Sequence, residues 1–178
     1  MKVLVTGATG FIGSRLCKVL AEQGNEIKVL VLPGENIDSI SGTSVEISYG
    51  DLRVPESIKG ICDNVDTVYH LAARVVDWGS KKDFYSIIFN GTKNILEEAS
   101  GKALRFVFIS SIAACGLGKH LKGRTEEDAA FKSGVPYNDA KLDAEKLVRS
   151  YRGGLGTCWA HGQPLSGRPM SLDPEVCG

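Results

Sequence analysis

The stretch Lys2–Gly13, read KVLVTGATGFIG, constrains this chain more than any other. A short β-branched run stops at Gly7, and an apolar helical period begins four residues later. Phe11, Ile12, Leu16, Val19 and Leu20 fall on one side of a helix over 11–23, and Gly24 sits where a helix C-cap belongs. In this strand–turn–helix, Gly7 takes the tight turn and Gly10 lets backbone approach a phosphate. Gly13 permits close packing of helix on strand. The free N–H groups and positive dipole at such a helix start make an anion site. The spacing is G-x-x-G-x-x-G, one residue longer than the usual dinucleotide fingerprint.

Strands and helices alternate along the rest of the chain. Ile27–Leu32 reads as a strand closed by Pro33-Gly34, and Val45–Tyr49 as another ending at Gly50. Pro55–Cys62 suits a short helix with proline in its first turn. Val65–Ala73 and Leu104–Ser110 read as strands, Phe84–Ser100 and Tyr137–Tyr151 as helices. The alternation predicts a Rossmann-like, doubly wound parallel α/β sheet with helices on both faces. The polar, Gly-containing stretch from Gly116 to Val135 is long enough to be a functional loop over a site.

The 21 Lys+Arg residues balance 21 Asp+Glu, so no electrostatic pull toward nucleic acid or an anionic membrane is expected. No apolar run has the length of a membrane span or of a signal-peptide core. Five scattered cysteines form no C-x-x-C pair, which predicts neither a disulfide framework nor a metal site, and Cys17 and Cys62 read as core filler. These features together give the expectation of a reduced, cytoplasmic protein.

Six short motifs in one order resemble the extended short-chain dehydrogenase/reductase family. They are Thr6-Gly7-Ala8-Thr9-Gly10-Phe11-Ile12-Gly13; Gly50-Asp51-Leu52; His70-Leu71-Ala72-Ala73; Asn90-Gly91-Thr92-Lys93-Asn94; Ser110-Ser111; and Tyr137-x-x-x-Lys141. The run from Ala73 to Gly79 is similar to the branch of NAD-dependent epimerases/dehydratases, 3β-hydroxysteroid dehydrogenase-like and dihydroflavonol reductase-like proteins. The resemblance implies a bound NAD or NADP. It implies cofactor contacts from Thr6, Gly7, Thr9, Gly10, Phe11, Ile12 and Gly13, from Asp51 and Leu52, from Leu71, Ala72 and Ala73, and from Asn90, Tyr137 and Lys141. It also implies a small-molecule substrate and the possibility of a homodimer.

Tyr137 and Lys141, at i and i+4, share one helix face. A neighbouring ammonium is expected to lower the phenol from its ordinary value near 10, giving a general acid/base. Ser111 would steady the developing charge on a substrate oxygen. Ser110 reads as a backbone-satisfied strand-end serine and His70 as structural rather than catalytic. Asn90 organises its helix near the site, and Trp78 and Phe84 read as packing residues, the alternative being that they line a substrate pocket. The implied activity is NAD(P)-dependent hydride transfer to or from a secondary alcohol or carbonyl of steroid-, flavonoid- or sugar-nucleotide-like type. The alternative is a non-catalytic dinucleotide-binding module or an inactive fragment. For the cofactor's ribose, Val31 and Leu32 at the strand end carry no charge. Glu35 and Asp38 read as solvated loop charges. Lys28 and Arg15 are equally ready to face a phosphate or plain solvent, which leaves NAD against NADP open.

After Gly156 the pattern stops. The expected organisation is a dinucleotide-binding domain over 1–156 and an atypical tail over 157–178, with the last strand and the substrate subdomain missing. Back-translation from the third base of the Cys158 codon permits Leu-Gly-Thr-Arg-Pro, the strand such a fold would have there. The tail is therefore read as a shifted reading frame, the alternative being a genuine variant C-terminus.

Overall fold

The computed structural model describes residues 1–75, 79–116, 130–151 and 155–162. Six strands form one parallel sheet: β1 (Lys2–Thr6), β2 (Glu26–Val31), β3 (Glu46–Tyr49), β4 (Thr67–His70), β5 (Arg105–Ser111) and β6 (Gly156–Gly162). Their order is β3-β2-β1-β4-β5-β6. Chain direction across the sheet reverses between β1 and β4, and in open parallel sheets the crevice beyond the strand ends at such a point is where ligands bind.

The strands are buried apolar runs because helices cover them. Val3 and Val5 of β1 face Cys17 and Leu20 of α1 (Phe11–Glu22), with Ile27, Val29 and Val31 beside them. Leu4, Val68, Phe106 and Phe108 point to the opposite face, under α3 (Gly91–Ala99) and α4 (Pro136–Ser150). Phe106 and Phe108 are fully buried, each contributing on the order of 2–3 kcal/mol of hydrophobic stabilisation. Cys17 and Cys62 are fully buried. Burial pushes their thiols up to about 11 and about 12, so they are the inert core residues the sequence suggests. The α1 helix ends as expected: Gly24 takes φ 76°, and the Asn25 amide returns to the Leu20 carbonyl.

Three expectations are corrected. Pro55–Cys62 is a helix only over Pro55–Ile58, and that turn is 3-10. The helix predicted from Phe84 starts earlier, at Ser80, whose side chain and that of Asp83 form a capping box over α2 (Lys81–Phe84). It then runs through a π-helical turn, Tyr85–Asn90, into α3. Third, the last strand is not missing. β6 pairs in parallel with β5 from Arg105↔Gly156 to Ser111↔Gly162. The sequence offers no apolar alternation here, but the open edge of β5 offers a full row of backbone donors and acceptors. Pairing to that edge depends little on side chains, and Gly156 lies close to the Leu104 carbonyl, which accepts its amide at 3.0 Å. The tail beyond 162, Trp78, and residues 117–129 of the expected loop lie outside the described residues.

Candidate active site

The turn between β1 and α1 is shaped by contacts that leave no room for side chains. Gly7 takes φ 71°, and a Cβ there would lie 2.8 Å from the Ala72 amide nitrogen. A Cβ on Gly13 would sit 2.8 Å from the Ala8 Cα and collide outright with the Gly7 carbonyl oxygen. The helix starts at Gly10 with no side-chain cap and no acidic residue in its first turn. Phe11 and Ile12 beside it are exposed. An uncapped helix start with orphan N–H groups and no competing carboxylate fits a bound phosphate group. The same cradle satisfies what a dinucleotide needs of this turn.

Thr6 and Ala8 are buried, so at these two positions the turn offers a ligand backbone and not side chains. The Thr9 hydroxyl donates to the Glu35 carboxylate at 2.6 Å, and the Ser39 hydroxyl donates to the Thr9 carbonyl at 2.8 Å. Glu35 also accepts from the Leu32 amide at 3.2 Å. Glu35 is exposed, as a loop charge is, but its carboxylate is held locally by Thr9 and the Leu32 amide. The Leu32–Glu35 turn, with Gly34 at φ 83°, folds the carboxylate back over the end of β2. The strand end itself carries no acid, because the chain supplies one three residues late and brings it back. Lys28 is not available to a phosphate either, since it pairs with Glu46 at 3.4 Å.

Asp51 follows β3 and is held by Arg53, whose guanidinium keeps its carboxyl below the ordinary range. Leu52 is buried against Gly91, and its carbonyl accepts from Asn94 at 2.7 Å. Leu71, Ala72 and Ala73 leave the end of β4 half-buried, next to the Gly7 turn. Asn90 is exposed at the end of the π turn. Phe84 is buried and meets Tyr137 edge-on, ring centroids 6.3 Å apart, as a packing partner should.

Ser111, Tyr137 and Lys141 come together where β5 ends. Ser111 caps the 3-10 turn Ile112–Cys115, its Oγ accepting from the Ala113 amide at 3.2 Å. Burial raises the Tyr137 phenol above its ordinary value, and a hydrogen bond with Ser111 partly offsets that. Lys141 does not lower the phenol, contrary to expectation. Its Nζ donates to the Ile109 carbonyl at 2.7 Å and lies 4.7 Å from the Phe108 ring centroid. A buried ammonium needs an acceptor, and the strand carbonyl supplies one. Burial brings Lys141 down to about 8, so it stays mostly protonated at neutral pH.

Two supports go beyond the sequence expectations. The Ser110 hydroxyl donates to the buried Glu145 carboxylate at 2.7 Å, which corrects the view of Ser110 as backbone-satisfied. Arg149 lies 3.7 Å from Glu145. Tyr137, Lys141 and Glu145 stand at i, i+4 and i+8 on α4 and meet Ser111, Ile109 and Ser110 in turn. A signal for this is present in the sequence: a carboxylate on the apolar side of the helix, between Ala144 and Val148. The Tyr85 hydroxyl and Lys132 Nζ each donate to Asp143 at 2.7 Å, a tie between the π turn and α4. Among the described residues, no group of three or more His, Cys, Asp or Glu side chains could hold a metal ion. No described helix is long and apolar enough to cross a membrane.

Comparison with known proteins agrees with this fold. Residues 3–165 match the NAD dependent epimerase/dehydratase family. Sterol demethylase protein B of Methylococcus capsulatus is 31% identical over 153 residues, covering 83% of this chain and 46% of that protein. The solved structure of a UDP-galactose 4-epimerase superposes with a TM-score of 0.78 at 26% identity, covering 90% of this chain and 55% of the other. A UDP-glucuronic acid 4-epimerase from Bacillus cereus, solved in complex with NAD, gives 0.75 at 26% identity, covering 90% and 56%. The chain thus spans about half the length of the relatives it matches.

Proposed function

The chain belongs to the NAD dependent epimerase/dehydratase family, and on that premise we propose that it carries the cofactor half of an NAD-dependent oxidoreductase or epimerase/dehydratase. The observation that carries this reading is convergence. The uncapped α1 turn and the Ser111–Tyr137–Lys141 group stand at the same, C-terminal edge of the sheet, on either side of the β1/β4 reversal. NAD supplies hydride acceptance or donation when bound. The chain's own residues do the rest. The backbone of Gly10–Gly13 holds the pyrophosphate. Glu35, displaced along the loop but returned to the end of β2, accepts from the adenosine ribose, and its charge opposes a 2′-phosphate. Tyr137 takes the hydroxyl proton of a secondary alcohol or gives a proton to a carbonyl oxygen, Ser111 donates to that oxygen, and Lys141 steadies the cofactor's nicotinamide ribose. Steroid-, flavonoid- and sugar-nucleotide-like alcohols are the substrate classes to test. As a domain organisation we propose a dinucleotide-binding unit that extends through β6, with substrate contacts supplied from outside it.

A second reading, dinucleotide binding without turnover, is favoured by one observation: Lys141 is engaged by the Ile109 carbonyl rather than by Tyr137. Calorimetric titration with NADH and NADPH, together with a turnover screen over the three substrate classes, separates the two. The first reading expects NADH to bind more tightly than NADPH, with hydride transfer on at least one class. NADH binding without any transfer supports the second, and no binding of either nucleotide overturns both.

A further inference from the structure

His70 is a fully buried titratable side chain with no part in the proposed chemistry. It ends β4, between the phosphate turn and the π–α3 helix. Its Nδ1 lies 2.7 Å from the Thr6 Oγ1, and its Nε2 lies 3.0 Å from the Thr92 Oγ1. Both threonines are themselves fully buried. The direction of every bond is set by the two ends of this hydrogen-bond chain. The Thr92 hydroxyl donates to the Ile88 carbonyl, which can only accept. Thr92 oxygen is then left to accept, so the proton it receives is on Nε2. Nδ1 is therefore a lone pair, and Thr6 must donate to it. The Thr6 oxygen keeps its own lone pairs for the Ala72 amide, which donates to it at 3.2 Å.

We infer that His70 is a positioning residue of the crevice, a neutral ring with its proton fixed on Nε2 that orders the Thr6 hydroxyl and thereby pins the Ala72 amide against the Gly7 turn. The surroundings agree. Phe106 and Phe108 of β5 each lie with ring centroids 5.8 Å from the imidazole, and both are apolar. The charged group that acts on it is Lys141 from α4, a cation that opposes a second proton. Burial and that cation bring the ring down to about 3. The packing makes the pin matter, because Gly7 and Ala72 touch so closely that a Cβ on Gly7 would strike the Ala72 backbone. A shift of Ala72 would move the turn itself. The effect on dinucleotide affinity rests on the proposed function; the proton assignment and the pinning do not.

The test uses the full 178-residue chain, without cofactor first. Long-range proton–nitrogen correlation spectra of the labelled protein read the tautomer. His120→Gln and His161→Gln variants assign the His70 signals by elimination. The expected result is a proton on Nε2 and no titration between about pH 5 and 8. A proton on Nδ1, or a ring that titrates in that range, overturns the inference. Amide exchange at Ala72 then reads the pin. Thr92→Val is expected to speed that exchange at least tenfold, and Thr92→Ser, which restores the hydroxyl, to return it to within twofold. Unchanged exchange in a folded Thr92→Val protein overturns the positioning role. If Thr92→Val does not fold, the Thr6→Val and Thr6→Ser pair is read in the same way. With NAD added, Thr92→Val is expected to bind about tenfold more weakly than Thr92→Ser. Equal binding by the two overturns the link to the crevice, while absent binding in the parent chain counts against the proposed function and leaves the ring and exchange results to decide.

Discussion

The turn after β1 and the face between β5 and α4 lie at the same edge of one sheet and are held by opposite means. The turn is backbone against backbone. Gly7 rests on Ala72 and Gly13 rests on Gly7 and Ala8 with no side chain between the touching backbones, and side chains enter only behind them, where Thr6 accepts from the Ala72 amide. The β5–α4 face is built from buried and half-buried polar side chains: Ser110 on Glu145, Lys141 on the Ile109 carbonyl, and Tyr137 against Phe84 and Ser111. The first is intolerant of added atoms. The second tolerates volume better than it tolerates a lost partner, because a buried polar group without its hydrogen bond carries its full desolvation penalty.

That contrast sets the size of the effects expected when each is broken. Gly13→Val places methyl groups into the Gly7 carbonyl and is expected to abolish NAD binding and cooperative unfolding, seen in calorimetry and in a thermal melt. Gly10→Ala is the control, since a Cβ there meets only the Gly7 oxygen at 3.3 Å, and it should fold. A Gly13→Val protein that binds NAD like the parent would show the turn to be softer than its contacts imply. On the other side, Tyr137→Phe is expected to leave the fold and NAD binding intact while lowering turnover by roughly 10²–10⁴-fold, the usual contribution of a positioned acid/base. Turnover within a few-fold of the parent would remove Tyr137 from the chemistry.

Smaller effects come from the buried supports. Ser110→Ala is expected to lower unfolding free energy by about 1–3 kcal/mol, measured by denaturant midpoint, with the larger share expected from loss of a bond to a carboxylate. A midpoint unchanged within error would mean that Glu145 is held by its other contacts alone. The last effect is a pH slope. Lys141 sits at about 8 when folded, against 10.5 for its ordinary value. The unfolded chain therefore holds more protons between those values, and stability should rise with pH across that window. Below pH 8 the penalty for burying the ammonium is present in full. The difference in unfolding free energy between the parent and Lys141→Met, measured from about pH 7 to 10, should show a slope of at most about 1.4 kcal/mol per pH unit. A flat difference would place Lys141 in a wetter site than its burial indicates.

The two regions also differ in how far their residues reveal them. Glycine spacing is local, so the β1 turn, α1 and its Gly24 cap fall where the sequence puts them. The π turn does not, because i→i+5 bonding over Tyr85–Asn90 leaves no distinct residue pattern. β6 escapes the sequence pattern for the opposite reason: its pairing is supplied by β5 rather than by its own residues. Glu35 escapes it because only a folded loop shows that a residue beyond the strand returns to its end.

The sequence by itself determined the parallel α/β order and the glycine turn after β1, and it singled out Ser111, Tyr137 and Lys141 as the candidate site. Each depends on spacing along one strand, turn or helix, where neighbours in sequence are neighbours in space. Only the tertiary structure decided the partners of those residues. It placed the Lys141 ammonium on a strand carbonyl, joined Glu145 to Ser110 and set the His70 ring between two threonines. Each of those bonds joins elements far apart in the chain, and which donor meets which acceptor is settled by how helices dock on the sheet, since a buried polar group must take whatever partner that docking provides.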